Sequence, residues 1–435
     1  MTASIPGSSG LPLLGETLAF AKNPFGFIDE RLAKHGRIFR SRILGRNAVV
    51  IAGPEATGRF VDSAVVARHD SMPPHVQQLF AGKSLPLLDG DEHRERKRIV
   101  NQAFTRAAIA DYLPKMQASI ETAFARWAGG GEMRWLDEMK RLSIEVICST
   151  IMGLQPGNQM DALRRDYEIV LNGFATLPIN IPGTRYNKAL KARDRIMDFF
   201  RQTVRERRGG PTGDGLSRIL AAGPNLGDEE AALELHHIVI AGFIVFGELG
   251  GMVTQLTDHP DVRARLAAEI REKSPDGPIA LETLMAMPYL LQVTNEVKRI
   301  TPIIPGVFGI ARDGFAVDGK PVPAGWMILW TIRPTHTMFG VYDDAERFDP
   351  DRFSPERAED RRHEHAFVPQ GAGPVTGHRC PGLDFATYFM ELFAAVLLRR
   401  YAWELPPQEF ALVYSKVPPE MKDGLRARVM PARTG

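Results

Sequence analysis

The sequence predicts a mainly α protein with minor β, and three observations carry that reading. Residues 90–288 repeat apolar side chains at three- and four-residue spacing almost throughout, the period of helices that bury one face. Short β-like runs bounded by Pro and Gly gather instead near 1–60 and 300–350. No linker composition separates these regions, so residues 1–435 read as one domain, longer than the ~150 residues typical of a domain.

Taken in order, the first forty residues are rich in Pro and Gly around short apolar pieces. Two β-like runs follow, 38–43 and 48–52, which LGRN joins as a hairpin. The helical region breaks at AGGGE (128–132), near Pro182 and Gly183, and at RRGGPTGDG (207–215). After Glu296 the character changes to short β runs and Pro-rich turns, with GFAVDGKPVPAG as a second hairpin. A Gly- and Pro-rich loop, 367–382, precedes an apolar helix over 383–400 and a β-like tail to 435.

Composition removes several classes of function. At 44% hydrophobic and 24% charged, the chain is globular and long enough to enclose a pocket or cofactor. Lys+Arg 54 against Asp+Glu 52 leaves a net charge of +2, without the basic excess that nucleic-acid binding needs. Two cysteines exclude a disulfide scaffold and fit a reducing cytosol. The opening MTASIPGSSGLPLLGETLAF has no basic stretch leading into an apolar core, as a signal peptide would. The longest apolar stretch, 238–246, falls short of the ~18 residues of a spanning helix. A soluble cytoplasmic protein with no membrane span and no nucleic-acid partner is expected.

Chemistry concentrates late in the chain. Cys380, in FVPQGAGPVTGHRCPG, stands just before an apolar helix, whose N-terminal N–H groups and dipole favour a thiolate. A thiolate is the donor an axial haem site needs; a buried structural cysteine is the alternative, and the better reading for Cys148 in EVICSTIMG. Glu296 and Arg299 share a helix face at i and i+3, and Arg352 follows in the turn Pro350-Asp351-Arg352-Phe353. A carboxylate and two guanidiniums can lock through bidentate bonds.

In this order and approximate spacing, Glu296-x-x-Arg299, Pro350-Asp351-Arg352-Phe353 and Cys380-Pro381-Gly382 resemble the cytochrome P-450 superfamily, of the soluble bacterial type. PGSSGLPLLGET and GWMILWTIRPTH look like its retinoid- and sterol-oxidising branch. RILGRNAVVIAGPEA, DGDEHRERKR and PQGAG...GHRCPG look like its fatty-acid peroxygenase branch. The resemblance implies a triangular helical domain with small β-sheets, and haem b with Cys380 as the axial iron ligand. It implies that Glu296, Arg299 and Arg352 brace the haem pocket. His93 and Lys97, at i and i+4, would reach the haem propionates with Arg68 and Arg379. Leu87, Ile240, Phe243, Ile244, Val307 and Val417 are the implied substrate-pocket residues.

Two departures from the family pattern stand out. Its usual Phe seven residues before Cys, and Arg two before, are Gly373 and His378 here, and the nearest Phe is Phe367. On the distal helix, AALELHHIVIAGFIVFGELGGMVTQLTDHP, the acid and Thr that follow Ala241-Gly242 are Ile244 and Val245, which hold no exchangeable proton. The peroxygenase Arg-Pro pair falls at Ile240-Ala241 and is also missing. Glu248, one turn on, is the nearby acid and the candidate proton relay, with helix packing as its bland alternative.

The expected activity is therefore a monooxygenase-type oxidation of a lipophilic small molecule, fed by a ferredoxin and its reductase. The alternatives are a peroxygenase or hydroperoxide isomerase using hydrogen peroxide or a hydroperoxide with no redox partner, and a non-catalytic haem-binding or sensor protein. Arg94, Arg96, Arg98, Arg399 and Arg400 form a candidate basic face for an acidic ferredoxin, or else an ordinary solvated surface.

Overall fold

The computed structural model describes every residue except 1–3, 13, 44, 175, 302 and 433–435. Part of the N-terminal segment read for a signal peptide, and Leu44 of the LGRN turn, therefore lie outside the described residues. The chain opens with α1 (Thr17–Lys22), α2 (Pro24–His35), the strands β1 (Ile38–Ile43) and β2 (Arg46–Ile51), then α3 (Pro54–Val61), β3 (Val66–Ala67) and α4 (Pro74–Leu79). Next come α5 (Gly90–Asn101), α6 (Arg106–Gly129), β4 (Glu132–Arg134), α7 (Trp135–Ile151), α8 (Asn158–Phe174), α9 (Arg185–Gly209) and α10 (Gly215–Ala222). The helical body closes with α11 (Asp228–Phe243), α12 (Phe246–Asp258), α13 (Pro260–Lys273), α14 (Leu281–Met285) and α15 (Pro288–Ile300). The last third holds β5 (Val307–Ala311), β6 (Phe315–Val317), β7 (Lys320–Val322), β8 (Met327–Trp330), α16 (Arg333–Thr337) and α17 (Leu383–Arg400). It ends in β9 (Tyr401–Glu404), β10 (Leu412–Val413), β11 (Glu420–Met421) and β12 (Arg426–Pro431).

The β-richer reading of residues 1–60 needs correction, because α1, α2 and most of α3 lie within it. Pro24 and Pro54 stand at the start of α2 and α3, where a missing N–H costs nothing and a fixed φ suits the helix. Proline therefore begins these helices, which the sequence reading did not draw. The Asn23 side chain accepts the Gly26 N–H at 2.9 Å and caps α2. The predicted break at 182–183 is real: Thr184 caps α9 by accepting the Asn187 N–H at 3.2 Å. Another break, between α7 and α8, went unread.

One five-stranded sheet, in the order β1-β2-β8-β5-β3, joins the two β-rich regions. β1 and β2 pair antiparallel, Ile38 opposite Ile51, while β2 runs parallel to β8 with Val50 opposite Leu329. Alternation then serves both faces. Val49, Ile51, Ile328 and Trp330 pack on one side, and Ala48, Val50, Met327 and Leu329 on the other. The hairpin β6–β7 and the three-stranded sheet β4-β12-β9 are the remaining larger β pieces.

The main core lies among the helices, with α17 apolar nearly all round and buried from Phe385 to Leu398. Close helix approach explains Gly242: a Cβ there would lie 2.5 Å from Ile147 of α7. The apolar run is also longer than the sequence reading allowed. Residues Asp228–Asp258 are long and apolar enough to cross a membrane by length and composition, with 72% of the apolar window buried inside the protein.

Candidate functional site

The most heavily buried charges sit beneath the cysteine loop. Glu296 and Arg299, on α15, meet Arg352 from the turn at Pro350–Phe353. Glu296 Oε2 accepts from Arg299 Nε at 2.6 Å; its Oε1 accepts from Arg299 Nη2 at 2.8 Å, Arg352 Nε at 3.0 Å and the Asp349 N–H at 2.8 Å. Glu359, which sequence reading missed, takes the other end of Arg352 at 2.9 Å. All four side chains are fully buried, so two carboxylates balance two guanidiniums away from water. Arg299 and Arg352 both donate to the Arg347 carbonyl, which ties helix to turn. Phe367 joins this cluster, packing edge-on to Phe353 at 5.0 Å and near His336 at 5.7 Å.

Cys380 is held by backbone geometry. Its N–H donates to the Gln370 carbonyl at 3.0 Å, and the chain turns back at Gly371, whose φ of 94° suits glycine. A Cβ on Gly371 would meet the Arg379 Cα at an ordinary contact distance of 3.5 Å, so the positive φ is what calls for glycine. Sequence reasoning expected the helix start to favour a thiolate. The structure shows a different balance: burial pushes the thiol above its ordinary value, against the Gly382 backbone hydrogen bond and the charges of Lys97 and Lys298. A bound metal cation deprotonates a coordinating thiol outright, so a metal would reverse that balance.

Cys380 faces a cavity of about 160 Å³ that Arg68, His93, Lys97, His378 and Arg379 also line. Arg68 is buried, its guanidinium donating to the Phe308 carbonyl at 2.9 Å and lying 3.7 Å over the Phe60 ring. Burial lowers its pKa to about 9, although Asp89 opposes this. Burial likewise lowers Lys97 to about 8, and its ammonium donates to the Arg379 carbonyl. His93 stacks on His378 with centroids 3.9 Å apart, and its buried Nε2 has no hydrogen-bond partner. Burial, then neighbouring cations, depress His93 to about 4 and His378 to about 2.

Arg68, His93 and Lys97 are buried and His378 and Arg379 half-buried, with few carboxylates near them. Asp89 is the carboxylate beside them, already accepting the Arg68 and His69 backbone N–H groups and facing Arg312. A thiol donor beside the cations Arg68, Lys97 and Arg379 and two neutral imidazoles suits an iron porphyrin with two carboxylates, because buried charge needs partners. A larger cavity, about 400 Å³, opens on the other side of the same loop between α15 and α17, bordered by Asn295, Lys298, Asp384 and Glu391.

The helix over the cavity is broken at Ile244 and Val245, between α11 and α12. Ile240 and Phe243 are buried, Phe243 against Tyr167 and Phe246, and Ile244 is half-buried against the main core. Of the implied pocket residues Val307 lines the Cys380 cavity. Leu87 does not; it is buried, and its neighbours Leu85 and Pro86 form that wall. Val417 is half-buried, and the next residue, Pro418, sits against Gly247 at the start of α12.

Glu248, the candidate relay with helix packing as its alternative, stands on α12. It is buried, with Oε2 unpartnered, and does not line the cavity. α12 packs against α15 and α17, so Glu248 faces the field of Lys298 behind the cysteine loop, and burial raises its pKa. The candidate basic face disperses too. Arg96 is buried on Glu230 and Glu234, Arg94 and Arg98 pair with Asp91 and Glu95, and the Arg399 side chain is 2% exposed.

Sequence similarity agrees with this geometry. The family model for cytochrome P450 matches residues 5–417. The chain is 31% identical over 432 residues to a putative cytochrome P450 120 of Synechocystis, covering 98% of this chain and 96% of that one. It is 30% identical over 444 residues to cytochrome P450 26B1 of Danio rerio, covering 97% and 86%. Among solved structures, the retinoic acid-bound cyanobacterial CYP120A1 superposes with a TM-score of 0.90 at 30% identity, covering 99% of this chain and all of that one. Cytochrome P450SP alpha shares the fold, with a TM-score of 0.82 at 22% identity over 96% of this chain and 99% of that one. The chain belongs to the cytochrome P450 family of haem-thiolate oxidoreductases, whose cofactor is haem b on an axial cysteine thiolate.

Proposed function

We propose that this protein is a monooxygenase that oxidises a C–H or C=C site in a lipophilic small molecule, with Cys380 as the axial haem ligand. Arg68, His93, Lys97 and Arg379 compensate the haem carboxylates; Glu296, Arg299 and Arg352 hold the loop beneath. The observation that carries this reading is the convergence of Cys380 with buried, anion-starved cations in one cavity. The haem supplies oxygen activation, and the protein's part is to bind, orient and exclude water.

The substrate wall is apolar at Val61, Leu85, Pro86, Val307 and Trp330, which supports a hydrocarbon-rich ligand. Retinoic acid, bound in CYP120A1, is the first probe. Ferredoxin with its reductase is the proposed electron source. A second reading, peroxide-driven oxidation without a redox partner, draws support from Ile244 and Val245, where no acid or Thr is available. Two free cysteines support a cytoplasmic location.

The test is a carbon monoxide difference spectrum of the reduced protein, with single-turnover assays on a lipid panel. Absence of a thiolate-type Soret band overturns the site assignment. Product with ferredoxin, reductase and dioxygen supports the monooxygenase; product from hydrogen peroxide alone supports the second reading.

A further inference from the structure

We propose that His237, held by Glu234, is the proton carrier of the Cys380 cavity and takes the place of the acid and Thr missing between α11 and α12. The inference rests on reading that cavity as the haem site.

His237 and Glu234 stand one turn apart on α11, and His237 lines the same cavity as Cys380 and Val307. Its Nδ1 lies 3.3 Å from Glu234 Oε2. Glu234 is fully buried and cannot swing away: its Oε1 accepts the Leu85 N–H at 2.9 Å and Arg96 Nη1 at 3.1 Å. Arg96, itself buried, is anchored a second time on Glu230. An ionised carboxylate only accepts, so it places the imidazole proton on Nδ1 and leaves the Nε2 lone pair for a ligand of the cavity. The same carboxylate stabilises the imidazolium that forms when Nε2 takes a proton.

The surroundings single this residue out. Ile240, Ile244 and Val245 hold no exchangeable proton, and Glu248 does not line the cavity. The other charged groups around the cavity are Arg68; His93, Arg96 and Lys97 of α5; and His378 and Arg379 of the loop. His236, next on α11, is tied to Tyr167 and to the Leu79 carbonyl. Among the described lining residues, His237 is the imidazole backed by a carboxylate of its own helix, whereas His378, in the cysteine loop, has Asp89 at 3.9 Å.

The chemistry balances for either oxidant. With dioxygen, R–H, two protons and two electrons from a ferredoxin-type donor give R–OH and water. With hydrogen peroxide, R–H is oxidised to R–OH while the peroxide is reduced to water. In both, a proton must reach the oxygen that leaves as water. With peroxide that proton comes from the other peroxide oxygen and with dioxygen from solvent, and Nε2 is the atom that hands it over.

Two measurements on the haem-loaded protein test this. His237→Gln and His237→Phe are assayed with hydrogen peroxide and with ferredoxin, reductase and dioxygen. Product formation should fall on the order of 10²-fold in both variants, with the thiolate-type Soret band of the carbon monoxide complex unchanged. Independently, 15N-histidine labelling of that complex should show Nδ1 protonated and Nε2 bare, with the signal assigned by its loss in His237→Gln. Wild-type rates in His237→Gln, or a proton on Nε2, overturn the proposal. A missing Soret band in the wild type, or no product from it with either oxidant, overturns the haem-enzyme reading instead.

Discussion

Replacing Glu296 by Gln removes one charge from a fully buried set in which two carboxylates offset two guanidiniums. Gln keeps the size of the side chain but cannot accept from Arg299 Nε, Arg299 Nη2, Arg352 Nε and the Asp349 N–H together. Arg299 then loses its carboxylate and keeps only the carbonyls of His336, Ala345 and Arg347. Breaking a buried pair by neutralising one partner costs about 3–5 kcal/mol, because the remaining charge stays out of water uncompensated. Against a total stability of about 5–15 kcal/mol, that is a large share. With an m-value of about 3 kcal/mol/M, the urea midpoint should fall by roughly 1–1.7 M. The assay follows far-ultraviolet dichroism and the Soret band in the same urea series, so that loss of the haem pocket and loss of the fold are separated. The pocket should fail at lower urea than the helices. A midpoint within about 0.2 M of wild type, where a surface pair of ~0.5 kcal/mol would leave it, refutes the reasoning.

Other outcomes follow from the same geometry. Cys380→Ser should fold with unchanged far-ultraviolet dichroism and lose the thiolate-type Soret band in its carbon monoxide complex; Cys148→Ala should keep that band and lose about 1 kcal/mol of stability from a small core void. Lys97→Met, which keeps the buried stem without the charge, should lose haem to a competing apo-globin faster than wild type, and an unchanged rate removes Lys97 from the carboxylate site. Burial, opposed by Lys298, pushes Glu391 up to about 8. The folded protein thus retains a proton that the unfolded chain releases near pH 4.5. This contribution to stability is complete below pH 4.5 and is lost as pH rises to about 8, by up to ~1.4 kcal/mol per unit. Glu391→Gln should therefore gain on wild type in urea midpoint between pH 6 and pH 9, and a gap independent of pH counts against it.

Much of the architecture was readable because its signals are local. The helix over 383–400 is bounded by a glycine-rich loop and a β-like tail, and its apolar period needs no partner to be seen. The two hairpins were visible for the same reason. Glu296, Arg299 and Arg352 were legible through spacing, but Glu359 was not, since an acid in a charged turn carries no sign that it will be buried. His237 went unread because its meaning lies in Leu85 and Arg96, which are distant in sequence.

Residue order alone establishes the mainly helical class and the positions of Cys380 and the Glu-x-x-Arg pair. Those features depend on periodicity and on neighbours within a few residues. Tertiary packing decided which β runs share a sheet, that Pro24 and Pro54 start helices, and that Glu248 is buried off the cavity. It also decided that the cations around Cys380 lack anions and that Glu234 can lock His237. Each of these depends on burial and on partners far away in the chain, where desolvation and charge balance act and local spacing does not.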